Sequence, residues 1–160
     1  MMGADNQQER LSCSWIVGFV DGEGCFHVSI NRQNKMTLGW QVLPEFRVVQ
    51  HQRDEQILYK LKEYFGFGSV VINHDDRKEF RVRGLDNLNK IVKFFQNNEL
   101  KTFKKNDFKL FAKIIHLMND SKHLTKEGLK NIADLASKTN RKIIRNLESS
   151  ETIRQTLSNK

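Results

Sequence analysis

The segment from Leu11 to Gly24 constrains the fold more than any other part of this sequence. Apolar residues recur in it at helical spacing, and Ser12 or Ser14 can cap the start of the helix. Gly18 and Gly22 lie four residues apart, so they share one helix face and leave room for another backbone to approach. The segment therefore predicts a helix from Leu11 to Asp21 that packs closely against a second element, and Gly22 and Gly24 end this helix.

Two carboxylates stand at the C-terminal end of this helix, in the sequence Asp21-Gly22-Glu23-Gly24. The helix dipole is negative at this end, so both carboxylates are unfavourable there unless a positive charge neutralises them. A bound Mg²⁺ would supply that charge. The alternative is a solvent-facing turn that closes an amphipathic helix, and for the tetrapeptide in isolation the turn is the better interpretation.

Alternating and helical patterns follow one another along the rest of the chain. Strands are predicted over Cys25 to Arg32, Leu38 to Gln50, Ser69 to Asn73 and Glu79 to Arg83. Helices are predicted over Asp54 to Tyr64, Asp86 to Phe95, Asn106 to Met118, Thr125 to Ser137 and Ser150 to Leu157. Pro44 interrupts the second strand, which predicts an edge, a bend or a bulge. The order αββαββα, followed by further helices, predicts an α+β domain.

The length of 160 residues and the hydrophobic content of 38% are typical of one folded domain. Residues 1–10 are predicted to be a flexible N-terminus, residues 11–157 a single domain whose helical region begins near 101, and residues 158–160 a tail. The predicted core consists of Ile16, Phe19, Phe26, Val28, Phe46, Leu58, Leu61, Phe65, Val82, Ile91, Phe94, Phe95, Leu110 and Ile114.

The sequence predicts a soluble protein that is neither secreted nor bound to a membrane. No run approaches the roughly 18 apolar residues that span a bilayer, and the first ten residues are polar, unlike a signal sequence. Cys13 and Cys25 form neither a disulfide framework nor a CxxC zinc pattern, so both are predicted to be reduced, partly buried thiols.

The positive charge of the chain is concentrated in its last third. The formal net charge is +8, yet residues 1–100 carry 13 basic and 13 acidic residues, whereas residues 101–160 carry 14 and 6. This region opens with the cluster Lys101, Lys104, Lys105, Lys109 and Lys113. The pattern favours a polyanionic partner, but charge alone does not distinguish such a surface from a solvated helix face.

The segment Ile16-Val17-Gly18-Phe19-Val20-Asp21-Gly22-Glu23-Gly24 resembles the nine-residue motif of the LAGLIDADG homing endonuclease family. Other features fall in the family's order: Gln50 after the second strand, a lysine near Leu-Lys-Thr-Phe-Lys-Lys, and the stretches 137–139 and 149–154. The resemblance extends over about residues 11–157 and is greatest to the small homodimeric members encoded in organellar rRNA introns. The motif occurs once in this sequence.

The resemblance implies a symmetric homodimer, because family members bring two motif helices together at their centre. The implied interface consists of Trp15, Gly18, Phe19 and Gly22. Glu23 of each subunit is implied to be the essential carboxylate and to bind a metal ion, Mg²⁺ or Mn²⁺, together with the carbonyl of Gly22. Asp21 is expected to be structural.

Two further catalytic residues follow from the resemblance. Gln50 matches the position that orders the attacking water, and Lys104 matches a lysine that stabilises charge near the scissile phosphate. The sequence departs from close relatives at Asp54, where they carry a basic residue, and whether the preceding Arg53 replaces it stays open.

The four strands are implied to form a curved antiparallel saddle over the major groove of double-stranded DNA, with alternate side chains reading bases. The side chains predicted to project are His27, Ser29, Asn31 and Gln33 from the first strand, Gln41, Glu45 and Arg47 from the second, and Glu79, Arg81 and Arg83 from the fourth. Three arginines on one face with few matching acids are unusual for a face turned to water. Lys138 and Lys142 are implied to contact phosphates.

The resemblance implies a site-specific endonuclease that binds a long, nearly palindromic DNA site and hydrolyses one phosphodiester in each strand. Two other classes stay open: an RNA maturase that binds its own intron RNA, and a catalytically inactive nucleic-acid-binding module such as a transcription regulator. The intact Glu23 and Gln50 favour the enzyme. An organellar intron implies a mitochondrial or chloroplast location, and the absence of a visible transit peptide fits synthesis inside the organelle.

Overall fold

The computed structural model describes residues 10–139 and 150–158. The helices are α1 (Cys13–Glu23), α2 (Glu55–Phe65), α3 (Leu85–Asn97), α4 (Lys104–Asn119), α5 (Lys126–Thr139) and α6 (Ser150–Ser158). The strands are β1 (Gly24–Arg32), β2 (Trp40–His51), β3 (Ser69–His74) and β4 (Arg77–Val82). The predicted α+β class and the order αββαββα with additional C-terminal helices are confirmed. The predicted flexible N-terminus and most of the tail lie outside the described residues.

The four strands form one antiparallel sheet in the order β1-β2-β4-β3. Pro44 pairs with Val28 in a continuous register between β1 and β2, so the predicted bulge does not occur there. Pairing between β2 and β4 begins only at Phe46. Pro44 therefore lies where β2 has a partner on one side, and its missing N–H group does not interrupt a ladder between two strands.

The β3–β4 hairpin is tighter than the sequence predicts. The expected turn covers residues 74 to 78, whereas the strands continue to His74 and resume at Arg77. Asp75 adopts a left-handed conformation with φ of 48°. Aspartate tolerates this conformation better than most residues, and it allows the short turn.

The hydrophobic core lies between the helices and one face of the sheet. Phe26 is at its centre, with its ring centroid between 5.3 and 5.6 Å from those of Phe46, Phe95, Phe108 and Phe111. Most of the predicted core is buried, but Phe19, Phe65, Phe94 and Leu110 are only partly buried. Buried residues that the prediction omitted include Phe80, Leu88, Phe111, Ile115, Leu129 and Ile132.

The two ends of α1 depend on different residues. Ser12, one of the two predicted caps, accepts a hydrogen bond at its Oγ from the Trp15 N–H group at 3.1 Å. Gly24 follows the helix with an ordinary φ of −77°, so it is not a left-handed cap. A Cβ atom at Gly24 would lie 2.5 Å from Val20 Cγ1 and 2.9 Å from Val20 O. Gly24 is therefore required by the close passage from α1 into β1.

Two smaller sequence predictions concern membranes and thiols. Within residues 10–139 and 150–158, no helix combines the length and apolar character needed to cross a membrane. Cys13 and Cys25 are free, but both are exposed rather than partly buried. The difference arises because Cys13 begins α1 outside the core and Cys25 alternates with core residue Phe26 along β1.

Candidate active site and nucleic-acid interface

One side of α1 is exposed and contains all four residues predicted to form a dimer interface. Trp15 is 41% exposed, and its ring stacks on that of Phe19 at 4.7 Å between centroids. A Cβ atom added at Gly18 or Gly22 would meet no heavy atom within 4 Å. The opposite side buries Ile16, Val17 and Val20. The helix therefore offers a flat, partly aromatic surface on which a second backbone can approach.

Glu23 is exposed and is the last residue of α1, immediately before β1. Gly24 pairs with Val48, so Gln50 lies two residues further along β2 at the same end of the sheet as Glu23. Gln50 is half-buried. The fold thus brings the predicted carboxylate, the Gly22 backbone and the predicted glutamine to one end of the sheet.

The carboxylate of Asp21 accepts hydrogen bonds from the chain segment that precedes α4. Its Oδ2 accepts the Lys101 N–H at 2.9 Å, and its Oδ1 accepts the Thr102 N–H at 3.1 Å and the Thr102 hydroxyl at 2.8 Å. Burial raises the pKa of Asp21, but these hydrogen bonds and the nearby Lys104 outweigh it and lower the pKa below its ordinary value. These contacts support the structural role expected for Asp21.

Lys104, the first residue of α4, is anchored at the same place. Its Nζ donates a hydrogen bond to the carbonyl of Val20 at 3.0 Å, within the last turn of α1. Burial lowers the pKa of Lys104, and Cys25, Asp21, Asp107 and Glu23 partly offset that effect. The ammonium group therefore lies at the negative end of the α1 dipole and within electrostatic range of Glu23.

The side chains at the end of α1 do not by themselves form a complete metal site. In the described part of the chain, no three His, Cys, Asp or Glu side chains cluster closely enough to hold a metal ion. Asp21 is already engaged, which leaves the exposed Glu23 as the available carboxylate at the end of α1. Carboxylate and carbonyl oxygens suit Mg²⁺, which commonly binds one or two carboxylates together with phosphate oxygens. The donors therefore fit a metal that also takes ligands from DNA and a second chain.

The outer face of the sheet, here called the open face, carries nearly all the strand residues predicted to contact DNA. The register places Cys25, His27, Ser29 and Asn31 beside Arg47, Glu45, Leu43 and Gln41, respectively. Arg81 lies opposite Arg47 on β4, and Glu79 lies opposite Val49. Arg83 follows the end of β4 and reaches Glu45. Gln33 differs from the prediction because β1 ends at Arg32, which places Gln33 in the β1–β2 connection.

The prediction that the three arginines face few acids is wrong. Glu45 and Glu79 lie on the same face, and both are buried, at 5% and 3% exposure. Glu45 contacts Arg47 and Arg83, whereas Glu79 contacts Arg47 and Arg81. Two of these pairs, Glu45–Arg83 and Glu79–Arg47, join residues more than 30 positions apart, so no local pattern reveals them. The pairs Glu45–Arg47 and Glu79–Arg81 instead lie two residues apart along one strand. Glu45, predicted to contact bases, lies instead beneath the arginines, and His27 is also buried.

Two basic residues are relevant to the departure at Asp54: Arg53, whose role the sequence left open, and Lys78, which was not predicted from the sequence. The Arg53 side chain is 77% exposed, and its Nε lies 3.5 Å from the Asp54 carboxylate. Asp54 makes no side-chain cap to α2. Lys78 lies directly opposite Gln50 in the β2–β4 register and forms an ion pair with Glu55. Because side chains alternate along a strand, the sequence of β4 could have indicated that Lys78 lies on the same face of the sheet as Gln50.

Only one of the two lysines predicted to contact phosphates lies within the described residues. Lys138 is exposed in the last turn of α5. Lys142 lies outside the described residues. Most of the basic cluster that precedes them borders a cleft of about 1130 Å³ between α3, α4 and α5, including Lys105, Lys109 and Lys113.

The αββαββα order, the exposed glycine-containing helix and the carboxylate at its end define the homing endonuclease class of fold. Residues 16–115 match the LAGLIDADG endonuclease family, and the chain belongs to that family. It is 34% identical over 125 residues to the probable intron-encoded endonuclease 3 of Neurospora crassa, covering 77% of this chain and 24% of that protein. The chain therefore spans about a quarter of the length of that relative.

Two solved structures and a second sequence relative give the same classification. The homing endonuclease I-TnaI is 48% identical with a TM-score of 0.82, over 94% of this chain and 98% of that chain. I-SmaMI bound to cleaved DNA is 32% identical with a TM-score of 0.81, over 94% of this chain and 49% of that one. The DNA endonuclease I-CvuI of Chlorella vulgaris is 31% identical over 83 residues, which is 52% of each protein.

Proposed function

We propose that two copies of this chain bind a long, nearly palindromic double-stranded DNA site and hydrolyse one phosphodiester in each strand with divalent metal. The observation that carries this proposal is the position of Glu23. It is an exposed carboxylate at the end of an exposed glycine-containing helix, at the edge of a polar open face. Two such helices packed together would bring two carboxylates between two open faces.

The lengths of the related structures support a dimer. The chain covers almost all of I-TnaI but only about half of I-SmaMI, whose structures include one bound to cleaved DNA and one bound to uncleaved DNA with calcium. Two copies of this chain would match the length of I-SmaMI. The unfilled space at Gly18 and Gly22 supports the same arrangement, since helices with glycine at the contact approach more closely.

Each residue of the candidate active site has a role in this proposal. Glu23 and the Gly22 carbonyl hold Mg²⁺ or Mn²⁺, which when bound neutralises the phosphate and lowers the pKa of a water molecule. The Gln50 amide hydrogen-bonds to the attacking water and orients it. The Lys104 ammonium stabilises negative charge that develops at the scissile phosphate. Asp21 holds the Lys101-Thr102 segment, which keeps Lys104 at the end of α1.

DNA binding is assigned to the open face and to the C-terminal helices. Ser29, Asn31, Gln33 and Gln41 contribute polar groups, and Arg47, Arg81 and Arg83 contribute the charged donors that read bases. His27, which was also predicted to contact DNA, is buried and is not assigned a base contact. Lys138 and Lys142 contact phosphates, which add affinity and register without sequence information. Because its relatives are intron-encoded proteins, we propose that this protein acts in a mitochondrion or a chloroplast.

Selection from a randomised double-stranded DNA library tests the proposal. Purified protein is incubated with the library in Mg²⁺ and, separately, in Ca²⁺, and both bound and cut molecules are sequenced. We expect cleavage in Mg²⁺ at one family of long sites whose two halves are related by approximate two-fold symmetry. Binding in Ca²⁺ should select the same sites.

Two results would contradict the proposal. Bound sites without two-fold symmetry would exclude the homodimer. Selected sites that are bound but not cut in Mg²⁺ or Mn²⁺ would exclude the nuclease and favour a nucleic-acid-binding module, for which intron RNA would be the next ligand to measure.

A further inference from the structure

Two buried carboxylates lie on the open face of the sheet, among polar side chains. Glu45 is 5% exposed and Glu79 is 3% exposed. A buried carboxylate loses its hydration and is unfavourable unless cations or donors replace the lost water. Guanidinium groups cover both residues, so the arginines above them account for the burial.

Arg83 is held by Glu45 through two donors. Its Nε donates to Glu45 Oε1 at 2.7 Å, and its Nη2 lies 2.5 Å from the same oxygen. A guanidinium group has five N–H donors, so this contact leaves three of them available. Arg83 remains 45% exposed, which allows those donors to reach a ligand on the open face.

Glu79 lies between the other two arginines. Its Oε1 is 3.5 Å from Arg81 Nη1, and its Oε2 is 3.9 Å from Arg47 Nη1. The Asn73 amide also donates to Glu79 Oε2 at 2.8 Å. Glu79 therefore has partners on three strands, and its carboxylate is fixed in place by them.

The register explains why counter-charges are needed here. Arg47 and Arg81 lie directly opposite each other on β2 and β4. Like charges at directly opposite positions destabilise a sheet, and two carboxylates beside three guanidinium groups leave a net charge of +1, from 3 − 2. The two glutamates thus allow three arginines to stand close together without DNA.

We infer that Glu45 and Glu79 are positioning residues that set the base specificity of this protein without contacting DNA themselves. Glu45 aims Arg83 and Arg47, and Glu79 aims Arg81 and Arg47, so that the free edges of the guanidinium groups meet guanine O6 and N7 in the major groove. This inference rests on the proposed function, since it takes the open face to be the DNA-binding surface. It also replaces base contact by Glu45 with an indirect role.

The test compares isosteric variants on DNA. Wild type, the glutamate variants Glu45→Gln and Glu79→Gln, and the arginine variants Arg83→Gln, Arg47→Gln and Arg81→Gln are each incubated with the randomised library in Ca²⁺, together with the double variant Glu45→Gln/Arg83→Gln. The preference at every base pair is measured by sequencing. Binding to unrelated DNA is measured in parallel at fixed salt. Glu63→Gln, the same change at an exposed position of α2, is the matched control. Thermal unfolding identifies any variant that fails to fold.

A bidentate arginine–guanine contact discriminates by about 5- to 150-fold. We expect Glu45→Gln to remove most of that discrimination at the base pairs that also depend on Arg83. Binding to unrelated DNA should become tighter, because a negative charge is lost near the phosphates. A role in folding alone would weaken binding to every sequence. Once Arg83 is replaced, Glu45→Gln should no longer alter the preference at those base pairs.

The outcomes separate this inference from the proposed function. If Arg83→Gln relaxes the preference but neither glutamate variant does, positioning is wrong and base reading stands. If Glu45→Gln changes a base pair that both Arg83→Gln and Arg47→Gln leave unchanged, Glu45 reads that base directly and positioning is again wrong. If no arginine or glutamate variant alters any preference, base reading by the open face fails, and the inference fails with it. Should Glu45→Gln not fold, Glu79→Gln tests the same claim at Arg81 and Arg47.

Discussion

At the residue scale, two carboxylates of α1 only two positions apart have different environments. Asp21 accepts three hydrogen bonds from Lys101 and Thr102, whereas Glu23 is exposed. The helix geometry produces this difference, because Asp21 lies beside the segment that leads into α4 and Glu23 lies at the open end of the sheet. A sequence pattern locates both carboxylates, but only the fold assigns one to structure and one to chemistry.

Replacing Asp21 by Asn should destabilise the protein. The Asn amide cannot accept both backbone N–H groups, so we expect the free energy of unfolding to fall by about 1–3 kcal/mol in denaturant titrations at pH 7. Cleavage should also slow, since Lys104 loses its fixed position. Glu63→Gln on α2 is the control, and equal losses in the two variants would contradict the role of Asp21.

The same variant has a predicted pH dependence. The hydrogen bonds lower the pKa of Asp21 in the folded state below the ordinary value of 3.8. The stabilisation is therefore fully present above that value and is lost as the pH falls through the lower folded-state pKa. The difference in unfolding free energy between wild type and Asp21→Asn should shrink below about pH 4. A difference that stays constant down to about pH 2 would contradict this account.

At the scale of elements, periodicity predicted each α-helix and β-strand within residues 10–139 and 150–158, but not the short 3-10 helices Gln52–Asp54 and Lys122–Leu124. The ends of the elements depended on contacts that the local sequence does not contain. Helix α4 begins at Lys104 rather than Asn106, next to the Asp21 contacts with residues 101 and 102. Strand β4 begins at Arg77 rather than Glu79 because the hairpin turn is tight. The exposed side of α1 was predictable from the spacing of Gly18 and Gly22, because both glycines lie within one helix and no contact with a distant segment is needed to recognise the pattern.

Gly18→Leu tests α1 as an association surface. Leucine favours the helix over glycine by up to about 1 kcal/mol, and the single chain has open space there, so the folded monomer should persist. The added side chain should block close approach of a second α1. We expect sedimentation to show monomers, with loss of cleavage in both strands. Gln56→Leu, at an exposed position of α2, should leave association unchanged. A Gly18→Leu dimer of wild-type affinity would contradict the proposed interface.

At the scale of the whole molecule, the proposed DNA contacts are of two kinds: phosphate contacts by the basic C-terminal region and base contacts by the open face of the sheet. The last third of the chain supplies most of the net charge, and the open face supplies hydrogen-bonding groups. The network of Glu45, Glu79 and the arginines was not predictable from composition. Its long-range pairs, Glu45 with Arg83 and Glu79 with Arg47, depend on the register between β2 and β4, which brings together residues more than 30 positions apart.

Lys138→Ala should affect affinity without affecting specificity. Loss of one phosphate contact should reduce the slope of log binding constant against log salt concentration by about one unit, equally for preferred and unrelated DNA. Lys60→Ala, at an exposed position of α2, is the matched control and should not change the slope. An unchanged slope for Lys138→Ala would place α5 outside the DNA interface.

The most direct measurement compares wild type with Glu23→Gln on the selected DNA site, recording binding in Ca²⁺ and cleavage of each strand in Mg²⁺. We expect binding within a few-fold of wild type and cleavage of both strands slower by about 100-fold or more, because each active site loses its metal-binding carboxylate. Glu63→Gln should cleave like wild type. Cleavage by Glu23→Gln at the wild-type rate would contradict the assignment of Glu23 and the proposed metal-dependent cleavage.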